Sequence, residues 1–170
     1  MAIEKILGID GSSISWSCKQ VASMVKKGTL SFDNVIQRSF VWERSRQSML
    51  IWSVIMGYPI PPIYAKRGDS ENSKIKIYDV LDGQQRCTTI KMFVYNEFKL
   101  SKLPPIPYLD ENNEENILDI SGLTFEKLPE ELRDSILGKM MTFYYYDDLS
   151  KEEQAQMFKN LNNGKIGRAS

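Results

Sequence analysis

The sequence predicts an α+β fold, a small mixed sheet flanked by helices. Three observations carry this expectation. Helical periodicity recurs in separated stretches, short alternating or apolar runs lie between them, and Gly or Pro marks most junctions. At 170 residues the chain suits one domain, which buries roughly 70% of the surface its unfolded form exposes.

Residues 1–14, with Gly8, Gly11, Ser12 and Ser13, read as a flexible lead-in. Ser15 to Lys27 reads as a helix with Val21, Met24 and Val25 on one side, ended by Gly28. Leu30 to Ile36 is extended. Glu43 to Met56 forms a second helix whose apolar face holds Met49, Leu50 and Val54, stopped by Gly57. Pro59, Pro61 and Pro62 exclude a helix over Tyr58 to Ala65, which reads as an edge strand or its approach, followed by a turn from Arg67 to Ser73. Lys74 to Leu81 alternates as a strand, Asp82-Gly83 breaks it, and Gln84 to Phe98 is helical. Residues 99–124 read as an irregular insertion whose acidic run, Asp110 to Glu115, is a solvated loop. Pro129 opens a helix that Gly138 closes, and Met140 to Tyr146 is a buried strand. Ser150 to Leu161 begins with a Ser150–Glu153 capping box and ends at Asn162-Asn163-Gly164. The domain thus spans 15–164, with 165–170 as a tail.

Composition narrows function. The chain is 42% apolar and 26% charged, ordinary globular usage. It has no 18-residue apolar stretch, and Glu4 and Asp10 sit in the N-terminal segment, so neither a membrane span nor a signal peptide is expected and the cytoplasm is the expected location. Cys18 and Cys87 alone make no disulfide framework and no four-Cys zinc site. The absence of His excludes an HNH-type nuclease centre, a Ser-His-Asp triad and a His-ligated metal within this sequence. Lys+Arg and Asp+Glu are 22 each, so the strongly basic balance usual for backbone-driven DNA binding is missing.

Chemistry concentrates in Tyr78 to Thr89. A strand delivers Asp82, Gly83 permits a tight turn or close backbone approach, and a helix then begins with free N–H groups and the positive end of its dipole. Arg86 adds a planar fork suited to phosphate, Thr88 and Thr89 add hydroxyls, and Gln84 and Gln85 add amides. A purely structural account is also open. Asp82 and Gln85 match a capping box worth ~1 kcal/mol, Gly83 could serve the turn alone, and Arg86 could be a surface charge. Elsewhere, Arg38 beside Gln37 offers a second guanidinium or pairs with a carboxylate such as Asp33. Asn162 and Asn163 offer amides or simply end a helix. Lys66 and Arg67 suit the guarding of an edge strand. Cys87 lies in a first helical turn, where the dipole lowers a thiol pKa, or else points into the core.

Ile36-Gln37-Arg38, Val41-Trp42, Gly57-Tyr58-Pro59-Ile60-Pro61-Pro62, Val80 to Arg86 with Thr88-Thr89, and Phe158 to Gly164 occur in this order over residues 17–164. In these motifs the chain resembles the N-terminal domain of GmrSD-type restriction systems. The resemblance implies a ParB/sulfiredoxin-like fold whose strand–helix turn binds nucleotide phosphates. It also implies an anti-phage setting, in which the domain senses or hydrolyses a nucleoside triphosphate and controls a nuclease, normally a His-containing C-terminal domain absent from this sequence. Sulfiredoxins carry their catalytic Cys where Gln84 stands, and ParB proteins an acidic residue, so neither chemistry transfers directly. On this reading Asp82 holds the turn or positions a hydrated Mg²⁺, Gln84 and Gln85 contact phosphates or orient water, and Arg86 neutralises phosphoryl charge. Gly83 and Thr88 line the cradle, and Arg38 and Asn162 complete it. Two alternatives stand beside this one: a DNA-binding or ParB-like nuclease domain using Arg38, Lys66, Arg67 and Arg86, and a non-enzymatic interaction module.

Overall fold

A computed structural model of the chain describes residues 1–32, 41–71 and 74–169, with side chains no further than residue 163. Its elements in order are β1 (Gly11–Ser17), α1 (Cys18–Lys27), β2 (Leu30–Ser31), α2 (Arg44–Met56), β3 (Ile63–Asp69), β4 (Lys76–Asp82) and α3 (Gln84–Val94). A small hairpin of β5 (Ile106–Leu109) and β6 (Glu115–Leu118) follows, then α4 (Glu130–Gly138), β7 (Met140–Asp147) and α5 (Lys151–Ala169). The main sheet runs β1-β7-β3-β4-β2. It is mixed: β3 is parallel to β7, β2 is parallel to β4, and the β1–β7 and β3–β4 pairs are antiparallel. The expected α+β class with a mixed sheet is therefore present.

The two faces of the sheet are covered unequally. On one face Ile63, Val80, Met141 and Phe143 meet Val21 of α1, Ile51 and Val54 of α2, Cys87, Ile90 and Phe93 of α3, and Ile136 of α4 in the main core. Among the described residues the opposite face carries a small cluster, Leu81 with Leu149, Met157 and Phe158, where α5 packs. Adjacent Val80 and Leu81 thus serve different cores, as the two-residue period of a strand requires.

Several boundaries differ from the sequence reading, each for a physical reason. The lead-in reading of 1–14 fails at Gly11, because Gly11 to Ser17 pairs residue for residue with β7. Only Ile14 and Trp16 mark that stretch as a strand, since its other side chains are small and polar at a solvent-facing edge. The helix expected from Ser15 starts at Cys18, with Ser17 as its N-cap accepting from Gln20 N–H at 3.1 Å. β3 is central rather than an edge: the prolines precede it, and the expected turn from Arg67 is instead strand as far as Asp69. α3 stops at Val94, before Asn96 adopts a left-handed φ of 61°. The insertion 99–124 contains the β5–β6 hairpin, with Ile106 and Ile120 buried in the main core.

α5 continues through Asn162-Asn163-Gly164 to Ala169, so the expected stop does not occur there. One Gly inside a helix costs ~1 kcal/mol relative to Ala, too little to end it unaided. The capping box at its start forms as expected: Glu153 N–H donates to Ser150 Oγ at 3.1 Å, and Ser150 N–H to Glu153 Oε1 at 2.9 Å. Of the expected Leu30 to Ile36 extended segment, β2 accounts for Leu30 and Ser31, and residues 33–36 lie outside the described residues.

Leu81→Ala should cost about 2–5 kcal/mol, since it empties the centre of a four-residue cluster. Urea unfolding checks the total, and hydrogen exchange should show faster exchange in α5 than in α3.

Candidate functional site

β4 ends at Asp82 and the chain enters α3 through Gly83, at φ +106°. Only glycine adopts that dihedral readily, and a Cβ there would run into Ile63 Cδ1. Gly83 is the N-cap of α3, and among the described residues no side chain caps the first turn. The Asp82–Gln85 capping box is therefore not formed. Gln85 Oε1 instead accepts the Trp42 N–H at 3.1 Å, tying the start of α2's approach to the start of α3. Gln84 is buried, and its Nε2 donates to the Val80 carbonyl at 3.3 Å.

Arg86 is not a surface charge. It is 9% exposed, with Nη2 donating to the Pro62 carbonyl at 2.8 Å and lying 3.6 Å from Asp82 Oδ2. Its Nε is buried without a hydrogen-bond partner, as is Thr89 Oγ1 three residues on. An unmatched donor at that depth normally costs about 1–3 kcal/mol. Gln85 and Thr88 are the half-exposed members of the same stretch, three residues apart and so neighbours on one helix face.

The structure thus gathers Asp82, Gly83, Gln84, Gln85, Arg86 and Thr88 at one corner. It adds the Pro62 carbonyl, which the sequence reading left out of the site, and buries Thr89, which that reading named only as a hydroxyl. The Pro62 carbonyl was hidden because a proline run signals only its missing N–H. Thr89 was visible as a hydroxyl, but its burial follows from the helix face that Arg86 and Ile90 share. Asn162 is exposed on α5, on the opposite side of the sheet from α3. Arg38 and Gln37 lie outside the described residues.

Other expectations resolve. Arg67 is not an edge guard: its Nε and Nη2 donate to the Asp147 carboxylate at 2.8 Å each, and its guanidinium lies 4.6 Å from the Tyr145 ring centre. This pairing holds the Asp147 carboxyl below the usual carboxylate range. Cys87 faces the core, and burial pushes its thiol up to about 12; Cys18 is raised to about 12 for the same reason. The lowering influence of the neighbouring Arg86 charge on Cys87 is outweighed by desolvation.

Two open clefts, of about 350 and 370 Å³, lie on the other sheet face. They meet at Ile9 and Tyr146, and neither is lined by the 82–89 turn. Among the described residues no three Cys, Asp or Glu side chains cluster to hold a metal ion, and no helix is long and apolar enough to cross a membrane. A metal at this corner would have Asp82 beside the Arg86 guanidinium and would draw its remaining ligands from water or a bound phosphate.

The strand–Gly–helix corner with a buried arginine lies inside a longer match. The family model described as GmrSD restriction endonuclease, N-terminal domain, matches residues 21–167. The chain belongs to this family. It is thereby a component of a restriction system, in agreement with the resemblance read from its motifs. No curated protein and no solved structure matches the chain. In this GmrSD N-terminal domain the Asp82 to Arg86 segment is the turn described above, and residues 17 to 20, included in the span of the resemblance, fall just before the matched region.

Two outcomes follow from this geometry. A thiol reagent such as 5,5′-dithiobis(2-nitrobenzoate) should label neither cysteine at neutral pH in the native protein, and both in denaturant. Gly83→Ala should destabilise by about 1–3 kcal/mol in chemical denaturation, through its positive φ and the collision with Ile63.

Proposed function

We propose that this GmrSD N-terminal domain binds a nucleoside triphosphate at the start of α3 and regulates a nuclease through that ligand. The observation that supports it most is the unpartnered Nε of Arg86, nine-tenths buried, beneath a helix N-terminus that no side chain among the described residues caps. Such a terminus offers free N–H groups and positive partial charge to an anion.

In this proposal the phosphates sit over the backbone of Gly83 to Gln85, reached past the half-exposed Gln85 and Thr88. Arg86 supplies positive charge from below, held in place by Asp82 and Pro62. Mg²⁺ enters with the triphosphate as its counter-ion, with Asp82 the carboxylate nearest to it. Gln84 and Gln85 are already engaged with Val80 and Trp42, so their contribution is to hold the turn and the α2 approach in register. If hydrolysis follows binding, it rests on positioning and electrostatics, which suffice for phosphoryl transfer in general. Arg38 enters this proposal as a further phosphate contact, and Asn162, exposed on the other side of the sheet, does not.

The test is thermal unfolding with each nucleoside triphosphate and Mg²⁺. A ligand at ~100 times its dissociation constant stabilises by about 2.7 kcal/mol, which raises the midpoint of a domain this size by roughly 5–10 °C. Arg86→Lys, shown folded by circular dichroism, should lose most of that rise, because an ammonium cannot reproduce the planar fork. A folded wild-type protein that responds to no triphosphate refutes the proposal, and phosphate release separates hydrolysis from binding alone.

A further inference from the structure

The sheet has two edges, and they differ. β2 is two residues long, a common way of blunting an edge. β1 has seven residues in regular register with β7, with no charged residue, no proline and no bulge along it. Its outward side is open: Gly11 to Ser15 are exposed, and Ile14, on the core side of the sheet, is still 37% exposed. The preceding segment leaves Ile3, Ile6, Leu7 and Ile9 exposed as well. The usual protections of a long edge are therefore missing here, in a chain that is 26% charged overall.

The geometry points to a second copy of this chain as the partner, joined by antiparallel pairing of β1 with β1 about a two-fold axis at Ile14. The strand's own symmetry supports this occupant. Ile14 is its midpoint, so each Ile14 meets its counterpart, Ser13 meets Ser15 of the second copy, and Ser12 meets Trp16 of the second copy. All seven residues are used. Directly opposed residues share a face in antiparallel pairing, so the two Ile14 side chains cover one another on the core side, and Trp16 of each copy lies diagonal to the other's Ile14. An uncharged strand opposes no like charges when it pairs with itself, which a partner selected by charge would not require. The two five-stranded sheets become one.

Sedimentation velocity on the full chain, over a dilution series up to about 100 μM, reads the outcome. The wild type should sediment as a dimer at the upper end. Ser13→Lys with Ser15→Lys places like charges opposite one another and should weaken the dimer at least about tenfold while circular dichroism stays unchanged. A chain with Ser13→Glu and Ser15→Glu should also be monomeric alone. An equimolar mixture of the two should restore the dimer, since opposite charges then face across the pairing. A wild type that is monomeric throughout overturns the inference, and so does a dimer indifferent to both double variants or not restored by mixing.

Discussion

A buried guanidinium fixes the place where three elements meet. Arg86 on α3 bonds the carbonyl of Pro62, the residue before β3, and lies against Asp82, the last residue of β4. An arginine cannot shed its proton to relieve burial, so each of those contacts must offset desolvation of a permanent charge. The corner is then set in all directions at once. β3 must start where Pro62 presents its oxygen, β4 must end where Asp82 can face the charge, and α3 must begin at once, which Gly83 allows. Ile63 fills the space a side chain at residue 83 would need, so the backbone has little room to choose another path.

From that corner the two-sided character of β4 follows. Val80 enters the main core beneath α1, α2 and α3, and Leu81, its neighbour, anchors α5 on the other face. One strand therefore ties the larger helical layer, the small α5 cluster and the Arg86 corner within three consecutive residues. The stacked Tyr64 and Tyr144 rings, 5.5 Å apart, occupy part of the second face that α5 leaves uncovered. The inequality of the two faces explains why apolar periodicity is strong in α1 and weak in α5: α5 shares its apolar surface with few partners.

What the sequence revealed tracks how local the determining physics is. Gly28 and Gly57 end α1 and α2 at φ +81° and +84°, as their positions in the pattern promise. The Ser150–Glu153 capping box forms because both partners lie within one turn. The Asp82–Gln85 pair has the same spacing yet no such box, since Gln85 takes the Trp42 amide, a partner 43 residues away that no local rule foresees. β1 was missed because Gly-Ser-Ser-Ile-Ser-Trp-Ser carries almost no strand signal of its own and is held by β7, more than a hundred residues on. The central place of β3 was hidden in the same way, since prolines that suggest an edge turn out to lie before it. At the site, the residue types were legible, but burial was not. Nothing in the local spacing tells Arg86 and Thr89, which face inward, from Gln85 and Thr88, which do not.

The inward-facing donors bear on why this corner keeps its chemistry. Stability alone does not favour a buried arginine. Replacing a buried ion pair with apolar residues of similar volume is often neutral or stabilising, and here the charge also leaves one donor unmatched. The same turn spends glycine on a strained dihedral and leaves the first helical turn uncapped, two further departures from what a fold optimised for stability would contain. Each departure alone is ordinary. Together, within five residues, they are departures of the kind that natural proteins concentrate at functional sites, which accords with the proposed ligand. In the proposed reading the uncapped turn would offer its amides to an anion and the arginine a fixed positive charge beneath, while Gly83 admits the sharp turn that brings the two together.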